Sequence, residues 1–220
     1  MAGLELISAP SAEPIAQSVA KTFLRIDTSD DDTLVTELIK TARQFCEEYT
    51  GRALINQTWK LSLDGFIEAD VPIKEGIYQA PFMNFYKRYI TLPRTPTASV
   101  THIKTFTDDD TESTYASSNY YVDKARQPAR VVLRDGSTWP TSLRVANAVE
   151  VTYVSGYGSS GSDVPSPLIV GMKEHITYLY EHRGDAEPNL ASVPIIAKQL
   201  YQPYRVLSFS NDPFANSGGY

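Results

Sequence analysis

At Thr58 the hydrophobic pattern changes its period, and no other feature limits the fold as much. Before it, apolar residues recur every three or four positions; after it, they alternate. Leu34, Leu38, Ile39, Ala42, Phe45, Cys46 and Tyr49 line one face of a helix, and Gly51 is placed to end it in the left-handed conformation. Glu37, Lys40, Arg43, Glu47 and Glu48 fall mostly on the opposite face. Then Trp59, Leu61 and Leu63 alternate with Lys60 and Ser62, as a half-buried strand does. Further strands are expected over 86–92, 99–106, 120–122, 129–134 and 148–155, separated by turn residues such as Asp64-Gly65, Asp108 to Asp110 and Asp135-Gly136. Short strands at such spacing predict a small antiparallel sandwich or barrel.

Helical spacing returns after Gly156 to Asp163, a Gly- and Ser-rich stretch expected to be a flexible connection. Pro165 and Pro167 suit a helix start, with Leu168, Ile169, Met172, His175, Ile176, Leu179 and Tyr180 on its apolar face and an end near His182 to Gly184. A short helix fits Pro194 to Tyr201. At the other end, a first helix is expected after Ser11, with Ser11 as cap, Pro14 in the first turn, and Ile15, Val19, Phe23 and Ile26 at helical spacing. Ser29 or Asp30 is the expected cap of the second helix. The expected class is α+β: a helical bundle from N- and C-terminal helices with an inserted antiparallel β domain. The expected division is 1–57 for the first helices, 58–156 for the β domain, 157–205 for the last helices, and 206–220 for an extended tail.

Composition and charge exclude several functions. The net charge is −6, which opposes wrapping nucleic acid, since that needs a dense Lys/Arg surface. The acidity is confined to the ends: −4 over residues 1–57, zero over 58–156, and −2 over 157–220. No apolar run is long enough to span a bilayer, and the first residues lack the pattern of a secretory signal. A single cysteine, Cys46, cannot form an internal disulfide and fits a reducing compartment.

Catalytic and metal patterns are missing. No phosphate-cradling glycine loop stands before a helix; Gly156-Tyr157-Gly158 lacks the third glycine. His175 and His182 are seven residues apart, too far for a compact metal pair, and are expected to be a packed ring and a cation at a helix C-terminus. Cys46 is expected to be a small buried hydrophobe. Asp108 to Asp110 lack the glycine and glutamate of a calcium loop and are expected to be a hairpin tip. No cofactor and no enzyme activity is therefore expected. Tyr78, Phe82, Phe85, Tyr86 and Tyr89 crowd one stretch, either as an exposed binding patch or as a satellite β core.

The stretch LRIDTSDDDTLVTELIKTARQFCEEYTGRALINQTWKLSLDGF, from Leu24 to Phe66, resembles the N-terminal pattern of head–tail connector (adaptor) proteins of tailed bacteriophages, prophages and gene-transfer agents. That pattern is a short helix, an acidic turn, an amphipathic helix ending in Tyr49-Thr50-Gly51-Arg52, and a strand with Gln57-Thr58-Trp59. ITLPRTPTASVTHI, YYVDKARQPARVVLRDGSTWP, VEVTYVSGYG, VPSPLIVGMKEHITYLYEHRGD and LYQPYRV follow in the family's order, so the resemblance spans most of residues 15–206. It implies a non-catalytic virion protein, made in the host bacterial cytoplasm and placed in the neck at the portal vertex. There it would form a homo-oligomeric ring, usually a dodecamer, that joins the portal to a tail terminator, stopper or other neck protein while DNA passes through unbound. Glu37, Glu47, Glu48, Glu174 and Glu181 are the candidates for the channel face, where carboxylates would repel phosphates. Leu207, Phe209 and Phe214 are the candidates for anchoring the tail on the portal. Residues 67–89 are longer and more aromatic than the family pattern. The competing expectation is another virion or cell-surface binding module using the β domain; a hydrolase would need converging acid and base groups that the sequence does not nominate.

Overall fold

The computed structural model describes residues 3–66, 88–183 and 193–206. Among the described residues, eight strands and four α-helices are arranged around two apolar cores. The strands are β1 (Gly3–Ser8), β2 (Gln57–Leu63), β3 (Tyr89–Thr91), β4 (Thr97–Phe106), β5 (Glu112–Thr114), β6 (Tyr120–Asp123), β7 (Arg130–Leu133) and β8 (Val149–Ser155). The helices are α1 (Gln17–Leu24), α2 (Asp32–Thr50), α3 (Ser166–Glu181) and α4 (Ile195–Tyr201). The class is α+β, as the change of period predicts.

The strands make two antiparallel sheets, ordered β1-β2-β8-β4-β5 and β3-β7-β6. Strand β8 occupies the middle of the larger sheet, and its alternation is strict: Val149, Val151, Tyr153 and Ser155 are buried, while Glu150, Thr152 and Val154 are half-buried. Leu61, Ile103, Val131, Val149, Val151 and Tyr153 are at most 1% exposed and hold the two sheets on one core. Phe66 and Trp139 stack almost parallel at 4.2 Å and extend it.

The helices share the second core. Val35, Ile39, Ala42 and Cys46 of α2 meet Leu168, Met172 and Ile176 of α3, with Ala20 of α1 and Ala197 and Tyr201 of α4. These are the i, i+4, i+7 positions that a 3.6-residue repeat turns to one side. Gly51 ends α2 at φ +70°, as expected, and its N–H bonds back to the carbonyl of Glu47.

Four local expectations change. Helix α1 begins at Gln17, not after Ser11: Pro14 and Ile15 are buried in a non-helical lead-in packed on Gly161, whose added Cβ would lie 2.0 Å from the Pro14 carbonyl oxygen. The N-cap of α2 is Asp31 rather than Ser29 or Asp30. Its carboxylate makes no cap bond and instead accepts from the Tyr180 hydroxyl at 2.5 Å. Residues 156–163 are not a free linker, because a 3₁₀ turn at Gly161–Asp163 is closed by a capping box between Ser160 and Asp163. Strand β1 was not expected; it is nearly all exposed and exists by pairing with β2, which draws residues 3–8 into the sheet. The aromatic stretch lies outside the described residues except Tyr89, which sits in β3 with the Arg130 guanidinium 5.4 Å from its ring centre.

Candidate functional site

Among the described residues, the passage from α2 into β2, residues 49–59, is held by a dense set of polar contacts. Gly51 brings the chain out of the helix, and the next residues are held on both sides. The N–H of Ala53 donates to the Thr95 carbonyl at 3.0 Å, that of Asn56 to Gly158 at 2.9 Å, and that of Tyr157 to Leu54 at 3.1 Å. Arg52 reaches across with Nε on the Tyr204 carbonyl at 2.5 Å and Nη1 on Gln127 Oε1 at 2.8 Å. Tyr49 donates its hydroxyl to Gln202 at 2.6 Å, and the N–H of Val206 closes onto the Thr50 carbonyl at 2.9 Å. Tyr49-Thr50-Gly51-Arg52 and the distant Gln202 to Val206 therefore fasten each other, which ties the end of α4 to the end of α2.

A buried ionic cluster lies directly behind. Arg43 pairs with Glu13 at 2.7 Å and with Glu47 at 2.8 Å. Glu47 also accepts from the Leu54 N–H at 2.9 Å and the Gln57 amide at 2.7 Å. Burial pushes the Glu47 carboxyl above its ordinary range, against the pull of Leu54, Arg43 and Gln57. For Arg43, burial opposes the charge, but Glu13 and Glu47 outweigh it and raise its pKa. Arg94, at φ +58°, bonds the Glu47 carbonyl at 3.0 Å and Glu48 Oε2 at 2.5 Å, with its guanidinium 5.3 Å from the Trp59 ring centre.

The expected channel residues are thus placed differently from one another. Glu47 is 7% exposed and spent inside the subunit, so it faces no channel; its carboxylate satisfies backbone and side-chain donors that only the fold brings near. Glu37 is exposed on α2, and Glu48, eleven residues on, lies on the same stripe at 100° per residue. Glu174, half-buried, and Glu181, exposed, are seven apart and share a stripe of α3. Leu207, Phe209 and Phe214 lie outside the described residues. Sequence reasoning missed Arg52, Arg94 and the inward role of Arg43; the only local sign was Arg94 standing between Pro93 and Pro96.

Little of this surface suits chemistry. His175 is 2% exposed, edge-on to Phe45 at 5.2 Å, and His182 Nδ1 lies 2.8 Å from the Tyr178 carbonyl. Cys46 is fully buried, and burial drives its thiol pKa up, away from the reactive thiolate. Among the described residues, no three His, Cys, Asp or Glu side chains could hold one metal ion, and no helix is long and apolar enough to cross a membrane. A surface cavity of about 450 Å³ is lined by Leu133, Trp139, Thr141, Arg88 and Asp135. Its charged groups are a solvent-exposed pair at 3.7 Å rather than converging acid and base.

Residues 18–91 match the phage gp6-like head–tail connector protein family, a span that holds all but the first residue of α1, then α2, the passage, β2 and β3. Three solved structures resemble the chain over nearly its whole length. One is described as the neck of an empty GTA particle computed with C6 symmetry: 20% identity, 95% of this chain and 98% of that chain covered, TM-score 0.72. Another is the virion of a native gene transfer agent (GTA) particle: 19% identity, coverage of 94% and 97%, TM-score 0.68. A third is the neck of a native GTA particle computed with C12 symmetry: 23% identity, coverage of 95% and 98%, TM-score 0.64. At such identities the likeness establishes a common fold. No curated protein matches the sequence.

Proposed function

We propose that this chain is a member of the phage gp6-like head–tail connector family, whose model matches residues 18–91, and that it is a structural protein of a virion neck, one copy in a ring that joins the portal to the tail or the next neck protein. The observation that carries the proposal is where the family match falls. Residues 18–91 include the passage that sets the helical bundle against the sheets, so the part held in common is the part that fixes subunit shape. Fold likeness to the GTA neck chains over 94–95% of the sequence supports the same reading.

A ring needs heterologous contacts, one surface of each copy meeting a different surface of the next. We take α1–α4 as one unit of the subunit and the two sheets as the other, with β1 counted in the sheets. The ring leaves a central channel for DNA, and twelve copies is the number we favour, by analogy with the neck computed with C12 symmetry. The channel face is assigned to the carboxylate stripe Glu37–Glu48 of α2 or Glu174–Glu181 of α3, because negative charge keeps phosphate from sticking. The tail beyond Val206 is assigned to the portal, with Leu207, Phe209 and Phe214 as anchors; a segment ordered only on docking can cover a large surface. The work is mechanical, and no catalytic step is assigned to it.

Imaging the purified full chain mixed with its particle's portal tests this. A ring of identical copies seated on the portal, with an open centre, is the expected result. A subunit that binds elsewhere on the particle, or as a lone copy, would overturn it. A chain ending at Val206 should stay folded and lose portal attachment; normal attachment would remove the tail from the proposal.

A further inference from the structure

The three-stranded sheet β3-β7-β6 buries one face and turns the other outward. Ile90, Tyr120, Val131 and Leu133 belong to the buried core. Alternation therefore puts Tyr89, Val132 and Tyr121 on the outer face. The register sets those three in one row: Tyr89 stands opposite Val132, and Val132 opposite Tyr121. At the usual strand spacing the two tyrosines lie about 10 Å apart with the valine between them. Each tyrosine carries an arginine. The Arg130 guanidinium is 5.4 Å from the Tyr89 ring centre, and that of Arg134 is 5.9 Å from the Tyr121 ring centre. Tyr121 is 45% exposed, and Arg134 is exposed. The β6–β7 turn is fixed to the passage by the Arg52 bond to Gln127 at 2.8 Å.

This face is basic in an acidic chain. Residues 88–91 and 119–135 carry Arg88, Lys124, Arg126, Arg130 and Arg134 against Asp123 and Asp135, a net of +3 where the whole chain has −6. Both carboxylates are already paired, Asp123 with Arg130 at 2.8 Å and Asp135 with Arg88 at 3.7 Å. Lys124, Arg126 and Arg134 are the surplus. Tyrosine and arginine around an apolar centre are the residue types that dominate protein contacts. Gripping duplex DNA would ask for a denser run of cations and would leave the apolar row without a use.

We propose that this face docks an acidic surface of a different neck protein, with carboxylates on Arg134 and Arg126 and an apolar side chain over Val132 between the tyrosines. The surplus of positive charge selects an acidic partner. A second copy is a poorer match: its Asp31 and Asp32 are already paired with Arg183 and Lys21, and its Glu48 with Arg94. The other carboxylates of α2 and α3 described on the surface are assigned to the channel. Guanidinium groups laid along tyrosine rings lose less freedom on docking than free ones would. The inference rests on the neck reading and names a contact surface which that reading leaves open.

Carbodiimide coupling tests it on the full chain built into its particle. In the Arg134→Lys variant, position 134 should couple to an aspartate or glutamate of a chain other than this one. Wild-type protein has no amine there and should give no such product. Iodination, read by peptide mass, should modify Tyr121 in the free chain and about tenfold less in the particle, as the centre of an interface is desolvated. Arg134→Glu should weaken retention of the coupled protein about tenfold, and less as salt rises. A product joining two copies of this chain would overturn the proposal in favour of a ring contact. Formaldehyde coupling of position 134 to DNA, with no protein product, would overturn it in favour of a nucleic-acid face. Equal Tyr121 reactivity in both states with no product would end the docking face, while imaged rings would keep the ring reading. A coupled foreign chain in particles that hold a lone copy would keep the face and end the ring reading.

Discussion

The passage around Gly51 and the flanks of the helical bundle are built on opposite terms. In the passage, Tyr49, Arg52, Gln57 and Arg94 are each bonded to segments far away in sequence. On the flanks, Phe23 and Ile196 stand in solvent, 44% and 57% exposed. The difference separates what a subunit must be from what it must touch. Residues that fix the angle between bundle and sheets are used up inside the chain, so replacing them should damage the fold. Residues on the flanks contribute little inside the chain, so replacing them should leave the fold nearly unchanged.

The sharpest way to break that contrast is at Glu47. Glu47→Ala removes one of the two carboxylates facing Arg43 and strips the acceptor from the Leu54 N–H and the Gln57 amide. Removing one partner of a buried pair typically costs about 3–5 kcal/mol, and denaturant unfolding should read a loss of that size. The pH response carries a sign. Because burial raises the Glu47 pKa, the folded state holds its proton more tightly than the unfolded chain does. Its contribution therefore improves as pH falls from neutral toward the ordinary carboxylate range and worsens as pH rises. The stability gap between wild type and Glu47→Gln should widen on going from pH 7 to pH 5. Asp31 acts in the other direction: the Tyr180 hydroxyl bond lowers its pKa, so its contribution is present above its ordinary value of 3.8 and lost as pH falls below it. An unchanged gap between pH 7 and pH 5 would mean Glu47 is a solvated surface group and the passage no different from the flanks, and a narrowing gap would mean that Leu54, Arg43 and Gln57 outweigh burial.

A smaller loss is expected at Gly156. Its φ is +153°, and an added Cβ would lie 2.4 Å from the Asn56 nitrogen. The three nearest atoms, Asn56 N and Cα and Ile55 C, are backbone and cannot yield as a flexible side-chain end would. Gly156→Ala should cost about 3 kcal/mol, measurable by the same unfolding experiment. A cost under about 1 kcal/mol would show that the 156–163 segment moves freely against the passage.

Much of the fold was legible because its elements carry their own signals. Helix α2 announces itself by a long apolar stripe and a terminal glycine, and β8 by strict alternation. Pairing partners carry no such signal. Strand β1 is exposed along almost its whole length, and β5 is exposed throughout, so no burial pattern marks either. Ser11 and Pro14 look like a cap and a first turn, but Pro14 packs against Gly161 and the helix does not begin until Gln17. The glycines of 156–163 look like a linker by composition; only the approach of Asn56, Pro14 and Asp163 reveals why side chains are missing there. Glu47 was misplaced for a related reason. Charge on a helix is expected to face water, and its donors, Leu54 and Gln57, are near only once the chain turns at Gly51.

On the passage side of the contrast, Tyr49→Phe removes a single bond to Gln202 and should cost about 1 kcal/mol. On the exposed side, the smallest stability effect should come with a functional one. Glu37 is exposed, and its side chain enters no ion pair described in the structure, so Glu37→Lys should change stability by less than about 0.5 kcal/mol. If α2 lines the channel, the same change places a cation along the path of the phosphates in every copy of the ring. DNA release from assembled particles should then slow, and the slowing should ease as salt rises, because the added contact is ionic. Glu37 is a cleaner probe than Glu48, whose replacement also frees Arg94. Release that is unchanged at every salt concentration would take α2 off the channel and leave the Glu174–Glu181 stripe of α3 as the face to probe.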